Sequence, residues 1–182
     1  MTPRSSLLSL LVVLFMCGHA LTTRVVCSDR CCSFVEGFPV RLKELRASFS
    51  KIRDYYEAND ELEKALLDDS FANSLQTPAG CHIMDNLLKF YLDTVLPTAI
   101  SGTTINNDFK SPIESIGDIL NQLKKELMQC RRYFSCKKPF DITEFILTYN
   151  KMENKGLYKA MGELDLFFNY IETYLASKRR KH

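Results

Sequence analysis

Tryptophan is absent from the 182 residues, histidine occurs three times and glycine seven times. So few imidazoles leave little general-base material. No G-x-S-x-G elbow, H-E-x-x-H pair, phosphate-binding glycine loop or dinucleotide fingerprint occurs. The adjacent acids Asp68 and Asp69 read as solvated charges, because acid/base catalysis needs carboxylates that converge across a pocket. His82 beside Cys81 reads as a surface histidine next to a structural cysteine rather than a thiol/imidazole pair. No catalytic residue and no cofactor are expected, and the absence of any N-x-[ST] triplet predicts no N-glycan. Neither charge sign dominates: 24 Lys plus Arg face 22 Asp plus Glu, a formal net charge of +2. That balance marks no nucleic-acid surface. Past the opening residues, no stretch stays apolar for the roughly 20 positions that a bilayer crossing takes, so membrane insertion is not expected.

What is present begins with Arg4, an apolar run from Leu7 to Met16, and Gly18-His19-Ala20. This layout fits a signal peptide over residues 1–20, cleaved near Ala20. Residues 21–182 then form one exported domain with enough chain for its own core. Of the seven cysteines, Cys17 falls in the leader, leaving Cys27, Cys31, Cys32, Cys81, Cys130 and Cys136. In an oxidising setting an even number reads as disulfides, although six thiols can pair in about 15 ways and spacing alone does not choose. A metal site is disfavoured, because the cysteines lie on separate elements without the short paired spacing that zinc uses.

Apolar periodicity is helical throughout. Pro39 is placed to start a first helix carrying Leu42, Leu45, Phe49, Ile52 and Tyr56 on one stripe. Asp60 with Glu63 makes a capping-box pattern ahead of Leu62, Ala65, Leu66 and Leu67, which predicts a short second helix. A third carries Ile83, Leu87, Phe90, Tyr91 and Val95 and is expected to stop at Pro97. A long polar connection leads to the fourth, where Ile113, Ile116, Leu120, Leu123, Leu127, Cys130 and Phe134 keep heptad spacing. Pro139 and the Asp141…Glu144 box open a fifth helix, with Ile142, Phe145, Ile146, Tyr149 and Met152, up to a break at Gly156. The sixth buries Leu157, Met161, Leu164, Phe168, Ile171 and Leu175, leaving Lys159, Glu163, Asp165, Asn169 and Glu172 mostly off that line. Gly162 interrupts it and is a place where another backbone can come close. The run Lys178 to His182 reads as a solvated helix end whose cations suit the helix dipole. No segment alternates with period two, so the fold class is all-α.

The stretch from Gly80 through Cys81 and Phe90-Tyr91-Leu92 to Pro97 resembles the signature of interleukin-10 family cytokines. Lys155-Gly156-Leu157-Tyr158-Lys159-Ala160-Met161 with Phe168-Asn169-Tyr170-Ile171-Glu172 is similar to that family's last helix. Cys130-Arg131-Arg132-Tyr133-Phe134-Ser135-Cys136 and Leu42-Lys43-Glu44-Leu45-Arg46 add to the resemblance, which runs from Cys31 to about Tyr174. It implies a six-helix cytokine bundle and the bridges Cys31–Cys130 and Cys81–Cys136. Cys27 and Cys32 depart from the mammalian pattern and resemble an extra pair in fish-type members; they are left to bridge across a short loop, since neighbouring Cys31 and Cys32 would strain to bond each other. Glu57 stands where the family has a neutral amide.

The resemblance also implies an intertwined homodimer in which each chain lends its last two helices to the other. The residues themselves say only that those apolar stripes must be buried, and that Lys137-Lys138-Pro139 is short enough to resist folding back. By resemblance the partners are class II cytokine receptor chains, one bound tightly and a shared second chain more weakly, with restraint of inflammation through kinases and transcription factors as the outcome. By position the receptor contacts fall on Lys43, Arg46, Arg53 and Glu57 of the first helix and on Lys159, Glu163, Asp165, Asn169 and Glu172 of the last. Without the resemblance, those charges read as a solvated face with i,i+4 pairs. The competing class is a secreted, disulfide-stapled carrier of an apolar ligand; narrow heptad seams argue for a filled core instead.

Overall fold

In the computed structural model, the described residues are 27–102 and 107–179. The leader expected at residues 1–20, and Arg180, Lys181 and His182 of the basic run, lie outside them. Among the described residues every regular element is helical.

Helix α1 spans Arg30–Phe49, so it starts well before the proline that the sequence offers as its first residue. Asp29 caps it, its carboxylate accepting the Cys32 amide at 2.9 Å. Pro39 sits inside the helix. A mid-helix proline removes the amide that would hold the carbonyl four residues back. That carbonyl, on Val35, instead accepts from Arg179 Nη2 at 2.9 Å, while Arg179 Nε lies 3.5 Å from Glu36. Helix α2 (Arg53–Ala58) follows and extends the same buried stripe through Ile52 and Tyr56.

The helix expected at Asp60 does not form. Residues 60–68 are irregular, and the Asp60 carboxylate accepts the Leu62 amide at 3.2 Å rather than capping a helix. The next helix, α3 (Asp69–Leu75), starts at Asp68, which accepts the Ser70 amide at 2.9 Å. Asp60 is drawn away because it has a better-placed cation, described below.

Helix α4 (Gly80–Phe90) runs into a π-turn over Tyr91–Val95 and then α5 (Leu96–Gly102). Pro97 therefore does not end the helix. The Leu96 amide donates to Tyr91 O, five residues back, so the backbone has already widened where the proline ring would otherwise crowd the preceding turn. Gly80 starts α4 because nothing larger fits: a Cβ there would lie 2.0 Å from the Leu75 carbonyl oxygen. Overpacking against backbone typically costs about 1–3 kcal/mol, and Gly80→Ala is expected to lower stability by at least that much. Urea unfolding checks it; an unchanged midpoint would mean that the α3–α4 corner gives way freely.

After a 3-10 turn at Asn107–Phe109, α6 (Lys110–Gln129) buries Ile113, Ile116, Leu120, Leu123 and Leu127, and the stripe continues through Cys130 and Phe134 in the turns beyond. Helix α7 (Thr143–Lys151) ends before Glu153, which adopts φ 50. The break thus precedes Gly156, which lies within α8 (Asn154–Gly162). The predicted last helix is itself divided at Glu163 into α8 and α9 (Leu164–Arg179).

The apolar stripes interlock. Phe49 meets Phe168 edge-on at 6.0 Å, and Tyr91 stacks on Phe167 at 4.6 Å with its hydroxyl donating to Ala160 O at 3.0 Å. The 137–139 connection does not prevent return of the chain. Asn86 Nδ2 holds Phe140 O at 2.9 Å, and α8 and α9 lie against α1, α2 and the π-turn of the same chain. Among the described residues three disulfides are present: Cys27–Cys32, Cys31–Cys130 and Cys81–Cys136. The basic run is only partly solvated. Lys178 is buried, its Nζ 4.8 Å from the Tyr174 ring centroid, and Arg179 serves α1 as described.

Candidate functional site

Two polar clusters lie along the seam between the first helices and the last. The first is exposed. Arg46 leaves α1 and reaches across to α9, donating through Nη2 to Asn169 Oδ1 at 2.7 Å and to Glu172 Oε2 at 2.8 Å, with Nε 3.7 Å from Asp165 Oδ1. The side chains of Arg46, Asp165 and Glu172 are 38%, 54% and 54% exposed, so solvent screens these pairs and each adds little to stability. Lys43 is exposed further along α1. Arg53 and Glu57 lie on α2 as a loose i,i+4 pair at 3.9 Å, with Asp54 also 3.3 Å from Arg53.

The second cluster is enclosed. Lys159 and Glu163 sit one turn apart, with side chains only 7% and 13% exposed. The apolar stripe would leave them facing water, but the irregular segment 60–68 covers them. Lys159 Nζ pairs with Asp60 Oδ2 at 2.7 Å and donates to Leu62 O. Glu163 accepts the Leu66 amide at 2.9 Å and the Leu67 amide at 2.7 Å. On either side, Lys155 pairs with Glu61 at 2.7 Å and Tyr170 donates to Asp68 O at 2.7 Å. Burial pushes the Glu163 carboxyl above its ordinary pKa; the two amides and Lys159 pull it down, and Asp60 pushes it up.

The structure therefore gathers Arg46, Asp165, Asn169 and Glu172 into one group and sets Lys159 and Glu163 in another. Asp60 and Tyr170 were missed in the sequence. Asp60 reads as a helix cap in the sequence, and Tyr170 carries no signal, since its hydroxyl partner is a backbone carbonyl. Among the described residues no cluster of His, Cys, Asp and Glu could hold a metal ion, and no helix is long and apolar enough to cross a membrane.

A family model described as Interleukin 10 matches residues 6–177. The chain belongs to the interleukin-10 family. Interleukin-10 of Gallus gallus is 37% identical over 178 residues, covering 97% of both proteins. Interleukin-10 of Felis catus is 34% identical over 177 residues, covering 97% of this chain and 98% of that protein, and interleukin-10 of Sus scrofa is 33% identical over 181 residues, 99% of each. Similarity of that reach makes this all-helical chain an interleukin-10 family cytokine and not an enzyme.

Proposed function

We propose that the chain is secreted after loss of its leader near Ala20 and binds class II cytokine receptor chains, one tightly and a shared one weakly. Bringing them together triggers kinase and transcription-factor signalling that restrains inflammation. The observation that carries this reading is Arg46. It holds Asp165, Asn169 and Glu172 in one exposed arrangement across two helices, a fixed charge pattern that a receptor loop of complementary sign can match. Lys43, Arg53 and Glu57 extend the face along the first helices. The carrier alternative finds no support in the core, where Tyr91 on Phe167 and Phe49 on Phe168 fill the space that a ligand would need. Titrating the mature protein with soluble receptor ectodomains tests the reading, alongside a native mass spectrum. Binding with no bound lipid supports a cytokine; bound lipid without receptor binding supports the carrier.

The active form in this proposal is a homodimer in which two chains exchange their last helices. Exchange moves the contacts that α7, α8 and α9 make with the groove from within one chain to between chains, with the exposed Lys137-Lys138-Pro139 stretch as hinge. Sedimentation at micromolar concentration is expected to give twice the mass of one mature chain. The mass of a single chain would end the exchange idea.

A further inference from the structure

Helices α8 and α9 fasten the whole 60–68 segment from one side. Along them, Lys155, Lys159, Glu163 and Tyr170 engage in turn Glu61, the Asp60 carboxylate with Leu62 O, the Leu66 and Leu67 amides, and Asp68 O. Four of these contacts are to backbone, so they constrain the path of the segment whatever its side chains. The two central residues are nearly enclosed by what they hold, and a partner approaching the face would meet segment 60–68 before it met either of them.

We infer that Lys159 and Glu163 are positioning residues: they set the backbone of segment 60–68 in the shape that the receptor reads, without contacting the receptor themselves. This rests on the receptor-face reading above. A segment of this length with no regular structure samples many conformations when released, and a partner that needs one of them binds more slowly by the fraction of time spent in it. Held in advance, it loses little freedom on binding.

The structure also offers an independent way to hold the segment. A Cβ built on Gly162 lies 3.9 Å from Asp60 Cβ, within the range of about 3.5–4.5 Å that a disulfide spans. The double substitution Asp60→Cys, Gly162→Cys should therefore tie segment 60–68 to α8 without help from Glu163. The test measures Glu163→Ala and Arg46→Glu in the natural background and in this locked background. Peptide mapping confirms the added bridge, and the amide proton shifts of Leu66 and Leu67 report on the segment in the free protein.

In the natural background, Glu163→Ala is expected to move the Leu66 and Leu67 amide protons upfield and slow receptor association about tenfold with helicity unchanged. Glu163→Gln, which keeps a carbonyl acceptor, should fall between. In the locked background the loss from Glu163→Ala should largely vanish, whereas the loss from Arg46→Glu should persist in full, since a non-additive pair shares one role and an additive pair does not. An equal loss from Glu163→Ala in both backgrounds would make Glu163 a receptor contact and overturn the inference. So would no loss in either background while Arg46→Glu still weakens binding. If Arg46→Glu is itself without effect, the receptor face is misplaced, and the positioning role falls with it.

Discussion

Replacing both Cys31 and Cys130 with serine is expected to cost about 4–5 kcal/mol, the largest loss from any of the three bridges. The bond joins residues 99 apart in sequence across a Cα–Cα distance of 5.8 Å, within the usual spacing for a disulfide. Its stabilisation comes mainly from the unfolded chain, whose loop-closure entropy it removes, and that contribution grows with loop length. The Cys81–Cys136 separation of 55 predicts about 4 kcal/mol on the same argument, and the separation of 5 at Cys27–Cys32 about 2 kcal/mol. Urea unfolding of the three double-serine proteins gives the order. Equal losses would show that loop closure is not the source. Non-reducing peptide mapping checks the pairing itself, and a Cys31–Cys81 or Cys130–Cys136 peptide as the major species would refute it.

Reversing charge on the exposed seam should act on binding instead of stability. Arg46→Glu places a carboxylate against Asp165 and Glu172, yet the side chains involved are well hydrated, so the folded state should lose less than about 1 kcal/mol. Against a receptor, the same change turns attraction into repulsion where water is excluded. A loss of about 2–5 kcal/mol in binding is expected if Arg46 is desolvated by the partner, and Asp165→Lys should behave alike. Lys125→Glu supplies the control, because Lys125 is exposed on α6 and lies outside the proposed face. Equal losses at Lys125 and Asp165, or none at Arg46 and Asp165 together, would move the binding surface elsewhere.

The apolar stripes made most of the fold legible, because burial repeats with the helix period and leaves a pattern in the residues themselves. What the sequence concealed were places where one element is completed by a distant one. Pro39 looks like a helix start unless the Val35 carbonyl is known to find Arg179. Pro97 looks like a stop unless the π-turn before it is foreseen, and no residue type signals that turn. Asp60 and Glu63 match a capping box, but Asp60 is taken by Lys159 from almost a hundred positions away. The candidate face divides on the same line. Periodicity puts Lys159 and Glu163 with Arg46, Asp165, Asn169 and Glu172 as off-stripe residues, and it cannot register that an aperiodic segment folds over two of them.

The bond from Arg179 to Val35 makes the end of the last helix a working part of the first. Carboxy-terminal ends are commonly chosen for affinity tags, fluorescent fusions and trimming, on the grounds that they fray and bear no load. Here, removing Arg179 would strip the carbonyl that Pro39 leaves open of the guanidinium that donates to it, and remove the cation beside Glu36. A label attached after His182 with a flexible spacer leaves this arrangement alone, whereas one that replaces the basic run edits helix α1 from the opposite end of the chain.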